Sequence, residues 1–185
     1  MRLFQSIMPA SFLVALLTAC GGGESNVQSG NRDGFLHYGN GAEPQGLDPH
    51  VVTGVPENHI VRALFEGLAV KNPKTLEPEP GVAERWDISE DGTVYTFYLN
   101  PNAKWSNGET MTASDYVWSW NRALHPDTGS LYAYMLYPIV NSEAYSKREI
   151  TDFNEVGVKA LNDHTLQVTL NAPTPYFLQL MDHYS

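Results

Sequence analysis

Two stretches in which apolar and polar residues alternate across a short turn constrain the fold of this chain more than any other feature. In VAERWDISEDGTVYTFYLN the turn residues are Asp91-Gly92, and in VGVKALNDHTLQVTL they are Asn162-Asp163. Alternation with a period of two around such turns predicts antiparallel hairpins with one buried face. The residues expected on the buried faces are Tyr95, Phe97, Leu99, Leu166, Val168 and Leu170. We therefore expect an antiparallel sheet that packs one face against other elements.

A capped helix is expected between the two hairpins. Thr112 and Asp115 have the three-residue spacing of a helix-capping pair, and Pro126 would stop the helix. The spacing predicts a helix over about 113–124. The positions expected to be buried are Val117, Trp120 and Leu124.

Weaker signals predict further elements on either side of this region. Residues 35–38 have the composition of a first strand, and a helix is expected from about 56 to 66, starting near Pro56. Residues 131–147 are expected to be helical in pieces, and Thr174 is expected to cap a last helix. The inner face of the helix near Pro56 would carry Ile60, Ala63, Leu64 and Leu68. The mixture predicts an α/β fold of the mixed α+β kind.

The single cysteine, Cys20, lies where an apolar stretch ends and three glycines begin. The apolar stretch is too short to span a bilayer and has the form of a secretory signal. Leu17-Thr18-Ala19-Cys20 resembles the bacterial lipobox, which predicts a lipoprotein signal peptide over 1–19 and lipid attachment at Cys20. The alternative that stays open is that Cys20 is only a small apolar residue ending the signal peptide.

The polar, Gly- and Ser-rich composition after Cys20 predicts a flexible tether over 20–33. Residues 34–185 then have the size of one domain. The chain carries 11 Lys and Arg against 21 Asp and Glu, a net charge of −10 at pH 7. Because nucleic acid repels a chain of this charge, we expect no nucleic-acid partner.

The sequence contains no motif for nucleotide, zinc or serine-nucleophile chemistry. The six histidines show no i, i+4 pair, so each is interpreted as a loop or packed residue, and we expect no metal and no cofactor. We also expect no catalytic residues and no enzyme activity. One enzyme alternative stays open, in which Glu66 or Asp115 beside aromatic side chains serves a secreted cell-wall or peptide hydrolase.

The stretch NAKWSNGETMTASDYVWSWNRAL resembles the bacterial extracellular solute-binding proteins that serve oligopeptide ABC transporters. Four further stretches resemble the same family in the same order, over about residues 34–183: GLDPHVVTGVPENHIVRALFEGL, PEPGVAERWDISEDGTVYTFYL, HPDTGSLYAY and VGVKALNDHTLQVTLNAPTPYF. The resemblance implies a two-lobed fold of the type II periplasmic-binding-protein kind. The chain would then hold only part of the first lobe with its inserted subdomain, truncated within an apolar element.

The resemblance also implies a function and a location. The chain would be the substrate-binding component of a peptide transporter, which captures oligopeptides through their backbone and delivers them to permease subunits. It would be periplasmic or otherwise extracytoplasmic, and anchored to a membrane through lipid on Cys20. Dipeptides, cell-wall peptides and nickel complexes are also carried within the family, and a truncated chain with no binding role of its own stays a further alternative.

Four ligand-facing positions are implied by the resemblance. Thr53 and Val55, in the loop TGVPE, would meet the peptide main chain, and Tyr132 and His183 would line the same site. Many relatives carry an acidic residue at the position of Thr53, and Leu131 replaces a proline common in the family. Val55 precedes Pro56, and we expect it to be extended because a proline disfavours helical backbone before it.

Overall fold

The computed structural model describes residues 23–183. The chain divides into two compact units, residues 1–39 and residues 40–185. The expected signal peptide and Cys20 lie outside the described residues. Within residues 23–183, no helix combines the length and the apolar character needed to cross a membrane.

Within the described residues of the first unit, 23–39, helix α1 (Asn26–Asp33) lies inside the segment expected to be a flexible tether. Ser25 caps this helix, since its hydroxyl accepts from the Gln28 amide and its own amide donates to the Gln28 side chain. Gly34, with φ of 75°, ends it in the left-handed conformation that glycine adopts readily. The Gly- and Ser-rich composition of the segment did not predict that Ser25 and Gly34 would cap a helix.

The strand predicted over 35–38 is wrong. These residues have no regular structure, and the side chains of Phe35, Leu36 and Tyr38 are exposed. An isolated strand leaves its backbone groups unpaired, and the described residues provide no neighbouring strand in this unit.

The second unit is built on a four-stranded antiparallel sheet. Its strands are β3 (Ala83–Ile88), β4 (Val94–Leu99), β5 (Val158–Asn162) and β6 (Thr165–Thr169). Across the sheet they lie in the order β3-β4-β6-β5. Both predicted hairpins are confirmed, and they join through β4 and β6, with Phe97 opposite Leu166. Gly92, with φ of 69°, provides the turn of the first hairpin.

One face of this sheet forms the core, as the alternation predicts. The buried residues of β4 and β6 and of the position after β6 are Tyr95, Phe97, Leu99, Leu166, Val168 and Leu170. Phe177 packs onto Tyr95 from the last helix, with ring centroids 4.9 Å apart. Burying a large apolar side chain contributes about 1.5–3 kcal/mol, so this layer is a principal source of stability.

The helix α3 (Ala113–Leu124) covers this core by packing against β5 and β6. Its bounds match the prediction, and the Asp115 carboxylate accepts from the Thr112 amide at 2.7 Å. The first helical amide, of Ala113, donates to the Asp163 carbonyl in the second hairpin turn at 2.8 Å. Trp120 and Leu124 are buried as expected, and Val117 is partly buried against them.

The helix α2 (Val55–Leu64) forms where predicted but buries a different face. Val61 and Glu57 are its buried residues, whereas Ala63 and Leu64 are exposed. The expected inner face is therefore wrong at Ala63 and Leu64, whereas Ile60 is half-buried and Leu68, beyond the helix, is buried. Periodicity identified the apolar positions but not the side from which other elements pack.

Short elements complete the second unit. One of them is a two-stranded antiparallel sheet of β1 (Ala69–Lys71) and β2 (Pro78–Pro80), which the sequence did not predict. Residues 131–147 are helical in pieces, as predicted, with a 3₁₀ turn over Ala133–Leu136 and helix α4 (Ser142–Ser146). Further 3₁₀ turns lie at Pro126–Thr128 and Phe153–Glu155.

The last helix, α5 (Phe177–Leu180), begins later than expected. Tyr176 is its N-cap residue, and the Thr174 hydroxyl instead donates to the Ala172 carbonyl at 3.0 Å. The capping role predicted for Thr174 is therefore wrong, because its hydroxyl is used by the preceding turn.

Candidate functional site

The loop before α2 places Thr53 at the surface of the second unit. Gly54 is the N-cap residue of α2 and has extended backbone, with φ of −83° and ψ of 156°. Glu57 lies three residues further on and is only 4% exposed. Its carboxylate reaches back along the loop and accepts from the Gln45 amide at 2.6 Å. Glu57 thus ties the start of α2 to the loop that leads into it.

Tyr132 lies against this loop. It is the N-cap residue of the 3₁₀ turn Ala133–Leu136, and its hydroxyl donates to the Thr53 carbonyl at 3.4 Å. The ring is half-buried and Thr53 is exposed. Two of the four predicted ligand-facing residues therefore meet through a backbone carbonyl, although they are far apart in sequence.

His183 joins the same cluster from the end of the described chain. Its ring lies edge-on to that of Tyr132, with centroids 5.0 Å apart. Asp182, beside it, pairs with Arg62 of α2 at 3.0 Å and with Lys71 of β1 at 3.4 Å. Burial, with the nearby Arg62 charge, lowers the pKa of His183, so the neutral ring is favoured.

Val55 lies two residues after Thr53, and its side chain is 65% exposed. The expectation that Val55 is extended is wrong, because α2 begins at this residue. Proline is tolerated in a first helical turn, where amides lack partners within the helix, and Pro56 occupies such a position. The extended residue of the loop is Gly54 instead.

His183 also lines a cleft of about 890 Å³. Phe65, Trp105 and Tyr116 supply aromatic surface, and the cleft does not include Thr53, Val55 or Tyr132 among its lining residues. The pKa of the Tyr116 phenol is raised, mainly by burial. Its hydroxyl donates to the Met111 sulfur at 3.7 Å.

Both carboxylates of the hydrolase alternative, Glu66 and Asp115, line this cleft. Asp115 is engaged, because it accepts from the Thr112 amide and, at 3.4 Å, from the Trp105 indole. It therefore acts as a helix cap, as its spacing predicts. Over residues 23–183, no three His, Cys, Asp or Glu side chains are grouped so that they could hold a metal ion.

A polar network that the sequence did not predict lies at the start of the Thr53 loop, residues 48–54. Arg122 of α3 pairs with both carboxylate oxygens of Asp48, at 2.9 and 2.5 Å, and lies 2.7 Å from His50 Nδ1. The other ring nitrogen of His50 lies 3.0 Å from the Ser119 hydroxyl. The Arg122 hydrogen bond lowers the pKa of Asp48, and burial followed by the Arg122 charge lowers the pKa of His50. The Asp48-Pro49-His50 stretch is the part of this network that is visible in the sequence. Nothing in the sequence identified Arg122 as its partner.

Comparison with known proteins places this arrangement in a family. A family model described as bacterial extracellular solute-binding proteins, family 5 Middle, matches residues 77–185. The periplasmic oligopeptide-binding protein OppA of Salmonella typhimurium is 44% identical over 98% of this chain and 34% of its own length. The oligopeptide-binding protein OppA of Bacillus subtilis is 39% identical over 92% of this chain and 32% of its own. The chain thus spans about a third of the length of these curated relatives.

Solved structures agree with this assignment. Haemophilus influenzae OppA in complex with the peptide RPPGFSPFR superposes with a TM-score of 0.74, at 38% identity, over 78% of this chain and 28% of that one. The Escherichia coli murein tripeptide binding protein MppA gives a TM-score of 0.73, at 41% identity, over 77% of this chain and 28% of that one. The expected mixed α/β fold is confirmed. Since the family model covers more than half of its residues, the chain belongs to the bacterial extracellular solute-binding proteins of family 5.

Proposed function

We propose that this chain is part of an extracytoplasmic receptor that binds oligopeptides and delivers them to the permease of an ABC transporter. Its similarity to oligopeptide-binding proteins over nearly the whole sequence supports this function. The proteins that this chain resembles are binding proteins, and they give no support to the hydrolase alternative.

The observation that carries the proposal is the cluster of Thr53, Tyr132 and His183. The Thr53 side chain is exposed and uncharged, and its carbonyl receives the Tyr132 hydroxyl. A backbone segment of this kind binds an extended peptide through main-chain hydrogen bonds, which tolerate many sequences. The Tyr132 ring adds a flat apolar surface with a polar tip.

In this account a peptide contacts two lobes, of which the described residues form part of one. A ligand that contacts both lobes stabilises the closed state relative to the open one. The Thr53 loop, Val55 and Tyr132 would supply the contacts of this lobe. Transport then requires a permease that recognises the closed receptor.

Peptide titration followed by NMR tests the assignment of the cluster. With tetra-alanine, we expect amide shifts concentrated at residues 53–55, and ring shifts at Tyr132 and His183. Tyr132→Ala removes contact surface and should weaken binding at least about fivefold, since a well-placed contact is worth about 1 kcal/mol. Tyr98→Ala is the matched control, because Tyr98 lies on the opposite, partly exposed sheet face beneath Arg85. Equal weakening in both variants would contradict the proposal.

We also propose that Cys20 carries lipid and anchors the receptor to a membrane. Mass spectrometry of the protein isolated from bacterial membranes should show a processed, acylated amino terminus at Cys20. Cys20→Ala should remove this mass and release the chain into the soluble fraction. An unmodified wild-type Cys20 would contradict the anchor.

A further inference from the structure

The network of Asp48, His50, Ser119 and Arg122 connects the start of the Thr53 loop to α3. Arg122 donates two parallel hydrogen bonds to Asp48, in the fork geometry that a guanidinium makes with a carboxylate. It also lies 2.7 Å from His50 Nδ1. His50 is only 7% exposed, so its ring nitrogens need partners inside the protein.

The chemistry of these partners selects one form of the His50 ring. A guanidinium has donors and no acceptor, so Nδ1 must accept from Arg122 and carries no proton. The remaining ring proton is then on Nε2, which donates to the Ser119 hydroxyl at 3.0 Å. Protonation of Nδ1 would place its hydrogen against an Arg122 hydrogen. The network therefore accommodates a neutral ring with its proton on Nε2.

The same network determines the path of the loop toward Thr53. The amides of Val51 and Val52 both donate to the Asp48 carbonyl at 3.1 Å, so the turn is built on the residue that Arg122 holds. At the other end of the loop, Tyr132 donates to the Thr53 carbonyl. The loop is thus held at both ends by residues from α3 and from the segment that follows it.

We propose that Arg122 is a positioning residue for peptide binding, which fixes the Thr53 loop by holding Asp48 and His50 together. This inference rests on the proposed function only for the role of the loop in binding. Arg122→Lys keeps the positive charge but loses the fork, because an ammonium group cannot place donors on Asp48 and His50 with the same geometry. The loop should then open locally while the sheet stays folded.

Two NMR measurements on the whole chain without peptide test the proposal. In the wild type, the His50 nitrogen shifts should report a protonated Nε2 and an unprotonated Nδ1. In Arg122→Gln, whose side-chain amide can accept as well as donate a hydrogen bond, the ring should change to a mixture of tautomers. In Arg122→Lys, amide hydrogen exchange at Val51 and Val52 should accelerate at least about tenfold, while exchange in β4 and β6 stays unchanged.

Arg148→Lys is the matched control, since Arg148 pairs with Asp127 on an exposed surface and should alter neither measurement. Equal acceleration in the loop and in β4 and β6 would overturn the proposal, because Arg122 would then act only on global stability. An unchanged His50 tautomer in Arg122→Gln would overturn it as well. Because no peptide is present, these outcomes are separate from a failure of the proposed receptor function, which would appear only in the peptide titration.

Discussion

Gly54 lies against the side chain of the buried Glu57. A Cβ atom added at Gly54 would lie 1.9 Å from Glu57 Oε2 and 2.9 Å from its Cδ. Glu57 cannot move without losing its hydrogen bond to the Gln45 amide. We therefore expect Gly54→Ala to lower the free energy of unfolding by about 1–3 kcal/mol.

Urea denaturation measures this effect, and Gly46→Ala in the same loop is the control. A Cβ at Gly46 would make only an ordinary contact, 3.6 Å from Val52 Cγ1. Its free energy of unfolding should change by less than about 0.5 kcal/mol. A Gly54→Ala chain as stable as the Gly46→Ala chain would show that Glu57 does not constrain this turn.

The pH dependence of stability is expected to report on His50. Its pKa in the folded chain lies below the ordinary value of 6.5 because of burial and the Arg122 charge, with the Asp48 charge acting in the opposite direction. Between the folded pKa and 6.5 the unfolded chain binds more protons than the folded one. The contribution of His50 to the free energy of unfolding is therefore fully present above about pH 6.5, and it is lost as the pH drops through this window.

Urea denaturation at pH 7.5 and at pH 5.5 tests this sign. The free energy of unfolding of the wild type should be lower at pH 5.5, and His50→Gln should reduce the difference by removing the titrating ring. An identical difference in the two proteins would mean that His50 makes no contribution.

At the scale of single residues, the sequence predicted polar contacts between neighbours along the chain but not those between distant residues. The Thr112–Asp115 pair was predictable because its partners are three residues apart. The Arg122–Asp48 pair spans 74 residues, and a single sequence contains no signal for a contact at that distance. The four predicted ligand-facing residues came from family resemblance, and their contact with peptide stays a prediction.

Among the elements, prediction succeeded where one face alone is buried. The hairpins and α3 carry a clear apolar period, the hairpins form at the predicted turns, and the bounds of α3 agree with the structure. The α2 helix has apolar residues on more than one side, so periodicity could not determine which side packs. The β1–β2 pair was missed because both strands are three residues long and β2 contains two prolines.

The contact between α2 and the turn after α5 gives an element-scale prediction. Arg62 donates to both Asp182 carboxylate oxygens and to its carbonyl, and the Asp182 side chain is only 9% exposed. Asp182→Asn should lower the free energy of unfolding by about 1–2 kcal/mol and weaken the contact between His183 and Tyr132.

Urea denaturation and the nuclear Overhauser effect between the two rings measure these changes. Asp127→Asn is the control, because its pair with Arg148 is exposed and should contribute little. An unchanged ring contact in Asp182→Asn would show that Asp182 does not position His183.

For the whole molecule, length is the dominant consideration. The chain spans about a third of the curated relatives it matches. Under the proposed function, it would supply only part of the surface that encloses a peptide. Binding still requires the full loss of translational and rotational freedom. We therefore expect residues 20–185 alone to bind oligopeptides with a dissociation constant of about 1 mM or weaker. Micromolar affinity by calorimetry would contradict the expectation that a second lobe is needed.

The most direct test is an isotope-filtered nuclear Overhauser experiment on residues 20–185 with labelled tetra-alanine at about 10 mM, a concentration that populates a complex with a dissociation constant of about 1 mM. We predict effects between peptide protons and the rings of Tyr132 and His183, together with the Val55 amide. Effects confined to Trp105 and Tyr116 in the neighbouring cleft, with none at Tyr132, would contradict the account.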